Sequence, residues 1–333
     1  MTGERRLPGE SAVEPARPEL GGGRATPSIR LPEDFDEGLP GRPEPFGVGR
    51  RQFVWGQRTF VMGILNVTPD SFSGDGLLAA VEANPVTAAV AAAREMVAAG
   101  ADLLDVGGES TRPGHDEVSA ADEIARVVPV IRAIRDALPD VPISVDTTKP
   151  AVAESAIEAG AGLVNDVWGV APDDSLARVA AANDVPIVLM HNRAEPRYTN
   201  LVAEVLADLE AGIERTVAAG VPWERIIVDP GIGFGKSATH NLAILRDLGK
   251  LRLLGRPILL GTSRKSTLGK VLDLPAEQRL EATLATTALG VAAGVDIVRV
   301  HDVEPNVRAA RMSDAIVRGS WRPPTVATEG GSS

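Results

Sequence analysis

The chain contains eight short, almost wholly apolar runs, and each of them breaks off at a polar or charged residue. They comprise residues 61–66, 103–105, 143–146, 163–165, 187–191, 226–229, 258–262 and 297–301. Near-continuous Val, Ile and Leu runs of this length are typical of strands in a parallel sheet that is buried on both faces. Helical stretches lie between the runs, so the order is strand then helix, eight times. This repeat predicts an α/β fold, a TIM (β/α)8 barrel.

The residues that precede the runs support the same fold. Four runs follow a Gly that ends an Ala-rich helical stretch, at Gly100, Gly160, Gly220 and Gly294. Three others follow a Pro, at Pro142, Pro186 and Pro257. Gly is favoured directly after a helix, and Pro is tolerated at the first residue of a strand. Because the active site of such a barrel lies where its strands end, we expect the polar residues to converge on one mouth.

The 333 residues suit one barrel domain with a tail at each end. The Pro- and Gly-rich composition of residues 1–45 predicts a disordered tail, residues 46–318 the barrel, and residues 319–333 a second disordered tail. Residues 51–58 (RQFVWGQR) alternate around Gly56-Gln57 and predict a short β-hairpin. Its second arm would lead into the first barrel strand, where the hairpin could plug the bottom of the barrel.

Charge and cysteine content exclude several classes of function. The net charge of −11 argues against a nucleic acid partner, which needs a basic surface. No apolar run approaches the roughly 18 residues of a membrane span, and the N-terminus lacks the apolar core of a signal peptide. Zero cysteines exclude disulfides, thiolate nucleophiles and Cys-based metal sites. We therefore expect a cytoplasmic protein without a membrane or nucleic acid partner.

Two of the breaks lead into loops that could bind an anion or a metal. Asn66 opens a segment of turn-forming residues (66–76, NVTPDSFSGDG), and its amide could bind a metal or a phosphate oxygen, or only cap a turn. Residues 107–114 (GGESTRPG) offer backbone N–H groups and a guanidinium at Arg112. Arg112 could equally pair with a surface carboxylate.

Asp146, Asn165 and Asp229 each end a separate buried strand. Burying such groups is costly unless they are hydrogen-bonded. A fused heterocycle with ring N–H groups and an exocyclic amine would satisfy them, although a network among the side chains themselves is the alternative. The following segment 231–236 (GIGFGK) lacks the ending of a Walker A motif, and its glycines favour close approach to a ligand with Phe234 as an apolar wall.

The last two strands end in residues 261–266 (GTSRKS) and 299–302 (RVHD). Alternation along a strand puts Arg299 and His301 on the same side, pointing into the mouth. Barrel enzymes frequently build a phosphate site from the loops after strands seven and eight. With Lys265 nearby, these side chains favour a diphosphate over a neutral ligand, whereas His301 could otherwise be a capped surface histidine.

Together these motifs resemble the dihydropteroate synthase family. The resemblance covers residues 60–315 and rests on seven segments, NVTPDSF (66–72), GESTRPG (108–114), SVDT (144–147), NDV (165–167), DPGIGFGK (229–236), SRK (263–265) and RVHDV (299–303). It implies a transferase of folate biosynthesis that joins 6-hydroxymethyl-7,8-dihydropterin diphosphate to p-aminobenzoate. It also implies a sulfonamide target and a homodimer.

The resemblance further implies roles for individual residues. The pterin would be bound by Asp146, Asn165, Met190, Asp229 and Lys265. The diphosphate would be bound by Asn66, Arg112, Arg299 and His301, with Mg²⁺ at Asn66. The p-aminobenzoate would be framed by Phe72, Thr111, Pro113, Phe234 and Ser263. The residues implied to be catalytic are Asp146, Lys265, Arg299 and His301.

The chain departs from the family pattern at two places, and two alternatives stay open. Gly74 is inserted before Asp75 in the first loop, and Asn192-Arg193 is not the expected pair after the fifth strand. A methyltransferase that moves a methyl group from methyltetrahydrofolate to a corrinoid could share Asp146, Asn165 and Asp229, but it has no use for a diphosphate site. A non-catalytic pterin-binding paralogue is supported only by the Gly74 insertion.

Overall fold

In the computed structural model, the residues described are 41–68, 84–109, 118–169, 171–319 and 321. Among them, eight parallel strands form one sheet: β3 (Phe60–Asn66), β4 (Leu103–Gly107), β5 (Ile143–Asp146), β6 (Leu163–Asp166), β7 (Ile187–Met190), β8 (Ile226–Asp229), β9 (Leu259–Leu260) and β10 (Ile297–Val300). Two shorter antiparallel strands precede them, β1 (Phe46–Val48) and β2 (Arg51–Phe53).

Helices follow each strand of the sheet. They are α1 (Pro85–Ala98), α2 (Ala120–Ala137), α3 (Pro150–Ala159), α4 (Ser175–Ala182), α5 (Leu201–Ala218), α6 (Ala238–Arg246), α7 (Ser266–Leu272), α8 (Leu280–Ala293) and α9 (Val303–Val317), with 3₁₀ turns at Trp223–Arg225, Leu248–Leu254 and Ala276–Gln278. Gly160 and Gly294 cap α3 and α8 with positive φ angles of 126° and 96°, as predicted. No helix in the described part of the chain is both long enough and apolar enough to cross a bilayer.

The sheet closes into a barrel. Its strand order is β8-β7-β6-β5-β4-β3-β10-β9, so each strand pairs with its neighbour in the chain except where β10 pairs with β3. Val228 of β8 forms a parallel bridge with Ile258, the residue before β9, and this bridge completes the ring. The predicted (β/α)8 barrel is therefore confirmed. β4, the second strand of the barrel, is longer than predicted and reaches Gly107. β9, the seventh strand of the barrel, is shorter than predicted and comprises only Leu259–Leu260.

Alternation along the strands divides their side chains into two sets. One set packs outward against the helices, and in β4 and β8 it includes Leu104 and Val228. The other set faces the barrel axis and fills its N-terminal half, for example at Leu103 and Ile227. Successive side chains of a strand point to opposite faces. The same parity therefore places Asp105 and Asp229, two residues further along, on the axis at the opposite end.

A hairpin plugs the N-terminal end of the barrel, as predicted, but it lies earlier in the chain. Phe46 pairs with Phe53 across a turn at Gly49-Arg50. The chain does turn at Trp55-Gly56, but this turn does not join the arms of the hairpin as predicted. The Gly56 N–H donates to Oδ1 of Asp296 at 3.1 Å, which ties this second turn to the barrel.

Aromatic rings and buried carboxylates fasten the plug. Phe53 and Trp55 lie 4.7 and 5.6 Å from the ring of Phe60, measured between centroids. Asp314 accepts hydrogen bonds from the backbone and hydroxyl of Thr59 at 2.7 and 2.9 Å. Because these partners are far apart in the chain, the Thr59–Asp314 contact couples the segment between the hairpin and β3 to the last helix.

We predict that Trp55→Ala destabilises the fold strongly. The side chain is 2% exposed at the centre of the plug, and removing a buried Trp costs about 3–5 kcal/mol. Trp321→Ala, at a residue that is 63% exposed, is the matched control and should change stability little. Urea unfolding of both variants measures this, and equal midpoints for the two would contradict the proposed plug.

Candidate active site

Polar side chains occupy the axis-facing positions where the strands end. By the alternation of each strand, these positions belong to Asn66, Asp105, Asp146, Asn165, Asp229 and Arg299. All except Asn66 and Arg299 are buried, and those two are partly buried. The mouth of the barrel is thus polar, whereas the opposite end is apolar.

Arg299 lies between two buried carboxylates. Its Nε donates to Oδ2 of Asp105 and its Nη2 to Oδ2 of Asp146, each at 2.6 Å. Asn165 Nδ2 donates to the same oxygen of Asp105 at 3.0 Å. One guanidinium therefore joins β10 to β4 and β5, and Asn165 adds β6 to the network.

These charges shift one another's protonation. Burial raises the pKa of Asp146 to about 7, with Arg299 opposing the rise and Asp105 adding to it. Burial acts to lower the pKa of Arg299, but the carboxylates of Asp105 and Asp146 outweigh it and raise that pKa. Oδ1 of Asp105 and Oδ1 of Asp146 are buried and accept no hydrogen bond from any described residue. Buried acceptors are normally satisfied, so the described residues leave one hydrogen-bonding position of each carboxylate unfilled.

A pocket opens beside this cluster. Its lining is Asn165, Val167, Met190, Asp229, Ile232, Phe234, Gly261, Lys265 and Arg299. Apolar walls with a few convergent polar groups are typical of small-molecule sites. The fold thus brings together six residues that were predicted from the sequence: Asn165, Met190, Asp229, Phe234, Lys265 and Arg299.

Asp229 and Lys265 flank Phe234 in this pocket. Burial raises the pKa of Asp229 to about 6, and a hydrogen bond from the Gly231 N–H to its Oδ1, at 2.6 Å, opposes the rise. Lys265 Nζ lies 3.9 Å from the centroid of the Phe234 ring, a cation–π contact. The ring therefore both walls the pocket and supports the lysine.

The surroundings of His301 favour its neutral form. The sequence pattern instead groups His301 with the cations Lys265 and Arg299. Burial lowers its pKa to about 3, and Arg264 and Arg299 add to the effect. Ser263 Oγ accepts from the His301 backbone N–H and lies 3.1 Å from Nδ1. The Ser263 hydroxyl proton can then be donated to Nδ1, which leaves the proton of the neutral ring on Nε2. His301 is thus a hydrogen-bond donor and not a positive charge.

Other predicted residues lie apart from the pocket or outside the described residues. Asn66 ends β3 opposite Gly107 of β4 and does not line the pocket. Asp146 reaches it through Arg299. Phe72, Thr111, Arg112 and Pro113 fall outside the described residues, as does the Gly74 insertion.

Asp105 was not predicted as a site residue, although the alternation along its strand indicates that it faces the barrel axis. Asp105 follows Leu103 by two residues, so it shares the axis-facing parity of the barrel interior. Lys149 was not predicted either. Its Nζ donates to Glu109 and Glu123 at 2.5 and 2.8 Å. No local pattern predicts that contact, because the carboxylates lie 40 and 26 residues away in the chain.

The unexpected pair after β7 is now explained by its contacts. Asn192 Nδ2 donates to the backbone oxygen of Val167, a pocket-lining residue, at 3.3 Å. Arg193 donates to Asp208 and Glu204 of α5, each at 2.8 Å. Asn192 is therefore tied to the lining of the pocket, and Arg193 to helix α5.

The fold and the site define a pterin-binding barrel, and residues 62–301 match the family described as pterin binding enzyme. A dihydropteroate synthase of Clostridium beijerinckii is 52% identical over 272 residues, covering 81% of this chain and 99% of the relative. The crystal structure of a Clostridium difficile dihydropteroate synthase, solved in the presence of pteroic acid, is 49% identical with a TM-score of 0.75, covering 80% and 99% of the two chains.

A Xanthomonas albilineans dihydropteroate synthase in complex with 7,8-dihydropteroate is 39% identical, with a TM-score of 0.74, and covers 82% of this chain and 98% of that one. The chain belongs to the dihydropteroate synthase family and is a transferase. The family assignment predicted from the sequence is confirmed, and it favours the synthase over the corrinoid methyltransferase.

We predict that Asp105→Asn lowers the pKa of Asp146. Asp105 raises that pKa through its charge, and its loss also frees Arg299 for Asp146 alone. Carboxyl-carbon NMR titration should place the Asp146 midpoint near 7 in the wild type and lower in the variant. Asp229, whose raised pKa comes chiefly from burial, is the internal control. An unchanged or higher Asp146 midpoint in the variant would contradict the proposed coupling.

Proposed function

We propose that this pocket binds 6-hydroxymethyl-7,8-dihydropterin diphosphate and joins it to p-aminobenzoate, releasing diphosphate and 7,8-dihydropteroate. The observation that carries the proposal is the buried Asp105–Arg299–Asp146 cluster beside Asn165 and Asp229. Such a set of acceptors and donors around one narrow pocket suits a flat heterocycle with several ring N–H groups. The family relationship supports the same substrates.

The pterin ring lies, in this proposal, between the apolar walls and the polar groups. Asp229 and Asn165 hydrogen-bond its ring N–H groups and exocyclic amine, while Lys265 donates to its acceptors. Asp146, through the oxygen that accepts no bond from a described residue, takes a further ring hydrogen bond. Met190 lies along the ring. Each buried polar group would then be satisfied by the ligand.

The diphosphate lies towards the outer end of the mouth. Arg299, the neutral His301, Asn66 and Arg112 are proposed to contact it, with Arg112 outside the described residues. Donors aimed at charge that develops on a leaving group stabilise the transition state. A diphosphate ester does not cross membranes unaided, so we also propose that the protein works in the cytoplasm.

The reaction proceeds through departure of the diphosphate. The bond between the pterin methylene carbon and the bridging oxygen breaks, and its electron pair leaves with the diphosphate. The electron-rich ring stabilises the carbocation, and the Asp146 carboxylate lies beside it. The amine of p-aminobenzoate then forms the new carbon–nitrogen bond and loses a proton. No enzyme nucleophile is required.

We propose that Mg²⁺ assists by binding Asn66 together with the substrate. The described residues contain no group of three or more His, Asp or Glu side chains that could hold a metal alone. Mg²⁺ commonly binds one or two protein oxygens plus substrate phosphates and water, and the side-chain oxygen of Asn66 would supply one of them. The ion would neutralise charge on the departing diphosphate.

The p-aminobenzoate site is proposed to lie beside Phe234 and Ser263. Phe234 offers an apolar face next to the Lys265 ammonium, which suits an aromatic carboxylate. Phe72, Thr111 and Pro113, outside the described residues, are proposed to complete the site. Sulfonamides mimic p-aminobenzoate in shape and charge, so we propose that they compete for this position.

We predict that the purified protein releases diphosphate only when both substrates are present. Arg299→Met should slow release by about 2–4 kcal/mol of transition-state stabilisation, roughly 30- to 1,000-fold. Arg318→Met is the matched control, since it removes another partly buried arginine, one that is paired with Asp314 at 2.8 Å at the far end of the barrel.

Binding without diphosphate release by the wild type would instead identify a non-catalytic paralogue. Methyl transfer from methyltetrahydrofolate would identify the corrinoid enzyme. Equal slowing by Arg299→Met and Arg318→Met would contradict the role assigned to Arg299.

We also propose that the protein is a homodimer formed through α8 and α9. These neighbouring helices expose Leu289, Met312 and Ile316 at 66, 62 and 69%. Large exposed apolar side chains on adjoining helices are typical of interaction surfaces. Sedimentation should give twice the mass of the 34.8 kDa chain, and Leu289→Asp with Ile316→Asp should give monomers. Val271→Asp on α7, at another exposed apolar residue, should leave the dimer intact. A monomeric wild type at micromolar concentration would contradict the proposal.

A further inference from the structure

Lys236 lies directly behind the pocket, at the end of the loop that follows β8, and does not line the pocket. We propose that Lys236 is a positioning residue whose buried ammonium sets the orientation of two pocket-lining groups: Asp229, which is proposed to bind the pterin, and Phe234, which is proposed to face p-aminobenzoate. The contacts of Lys236 can be described without reference to the substrates. The consequence for binding rests on the function proposed above.

The ammonium of Lys236 is surrounded by acceptors from two loops. Nζ lies 2.8 Å from His191 Nδ1 and 3.2 Å from the His191 backbone oxygen. It also lies 3.1 Å from the backbone oxygens of Gly231 and Phe234. A lysine ammonium has three N–H donors and no acceptor. One cation therefore joins the loop after β8 to the end of β7.

His191 supplies a fixed acceptor because its tautomer is determined by its neighbours. Burial lowers the pKa of Lys236 to about 7, and the negative charge of Asp229 opposes the fall. The protonated form can only donate, so Nδ1 then accepts, and the ring proton is on Nε2, which lies 3.0 Å from Oδ2 of Asp208. Burial lowers the pKa of His191 to about 4, so the ring is neutral near neutral pH. Arg193 also donates to Asp208, at 2.8 Å. The anchor thus extends from Lys236 to helix α5.

The loop is pressed so closely on its neighbour that two of its residues must be glycine. Gly231 and Gly235 have φ angles of 67° and 53°, in the left-handed region. A Cβ at Gly231 would overlap the backbone oxygen of His191, and one at Gly235 would overlap the backbone of Arg193. Only glycine combines this conformation with this approach. The loop therefore has one resting position, with Lys236 beneath it.

The two peptides that Lys236 holds are those that carry the walls of the pocket. The Gly231 oxygen accepts from Lys236, while the Gly231 N–H donates to Oδ1 of Asp229 at 2.6 Å. The Phe234 oxygen accepts from Lys236, while its ring lies 3.9 Å from Lys265 Nζ. A shift of the ammonium would therefore move two groups together. These are the Asp229 carboxylate, which is proposed to bind the pterin, and the Phe234 ring, which supports Lys265.

The absence of cysteine from the sequence allows a direct test. Lys236→Cys introduces a single thiol, which is alkylated in denaturant and the protein refolded. With 2-bromoethylamine, the sulfur–carbon bond forms, bromide leaves, the thiol proton is lost, and an ammonium at the length of lysine is restored. With 1-bromopropane, the same steps give a neutral chain of the same length. Wild type taken through the same cycle controls for refolding.

The readouts are the dissociation constant for the pterin diphosphate and the KM for p-aminobenzoate. We expect the propylated form to bind the pterin diphosphate about 10- to 100-fold more weakly, as for other residues that orient a binding group. The aminoethylated form should return to within about threefold of the wild type. Asp314→Asn, at the underside, should lower the melting temperature without changing either constant.

Each outcome decides one question. Equal affinity of the two alkylated forms, both near the wild type, would overturn the positioning role and leave Lys236 purely structural. A wild type that binds no pterin diphosphate would overturn the proposed function instead. If Lys236→Cys does not refold, His191→Asn, whose amide oxygen can replace Nδ1 as acceptor, should retain affinity and His191→Leu should lose it. Equal affinity of these two variants would likewise overturn the proposal.

Discussion

The salt bridge from Arg299 to Asp105 and Asp146 is the interaction on which the architecture of the mouth depends. Taking these charges out of water is costly unless they are paired with good geometry. The pairing requires β10, β4 and β5 to keep their register, since a shift of one residue would turn each side chain to the opposite face. The bond from Asn165 to Asp105 adds β6 to the same requirement. The cluster carries two carboxylates against one guanidinium, and one oxygen of each carboxylate accepts no hydrogen bond from the described residues.

The barrel divides stability and chemistry between its two ends. The aromatic plug around Trp55 closes the N-terminal end, and buried carboxylates such as Asp314 tie it to distant parts of the chain. Because the N-terminal end is stabilised in this way, the C-terminal end can hold polar groups whose hydrogen bonds are incomplete. Lys236 extends the division, because it lies outside the pocket yet holds the loop that shapes it. The geometry of such a site is therefore maintained partly by residues that do not contact a substrate.

Much of this arrangement follows from the sequence because the barrel is a repeat of local patterns. The eight apolar runs and their alternation place Asp229 and Arg299 on the axis without knowledge of any contact. Long-range effects are not visible in this way. The neutrality of His301 depends on burial and nearby arginines, and the anchor at Lys236 joins residues 45 positions apart. The hairpin was predicted one arm too late because Phe46 lies next to a Pro- and Gly-rich segment that resembles a tail.

In the proposed complex, buried carboxylates with raised pKa values accept hydrogen bonds from the N–H groups of the pterin. Binding should favour their charged forms, so protons should be released when the ligand binds. Calorimetry of 6-hydroxymethyl-7,8-dihydropterin binding, repeated in buffers of different ionisation enthalpy, measures this release. We expect release between about pH 6 and 7, where Asp229 and Asp146 titrate, and little release at about pH 8.5, where both are already ionised. Proton uptake, or binding with no proton release at any pH, would contradict it.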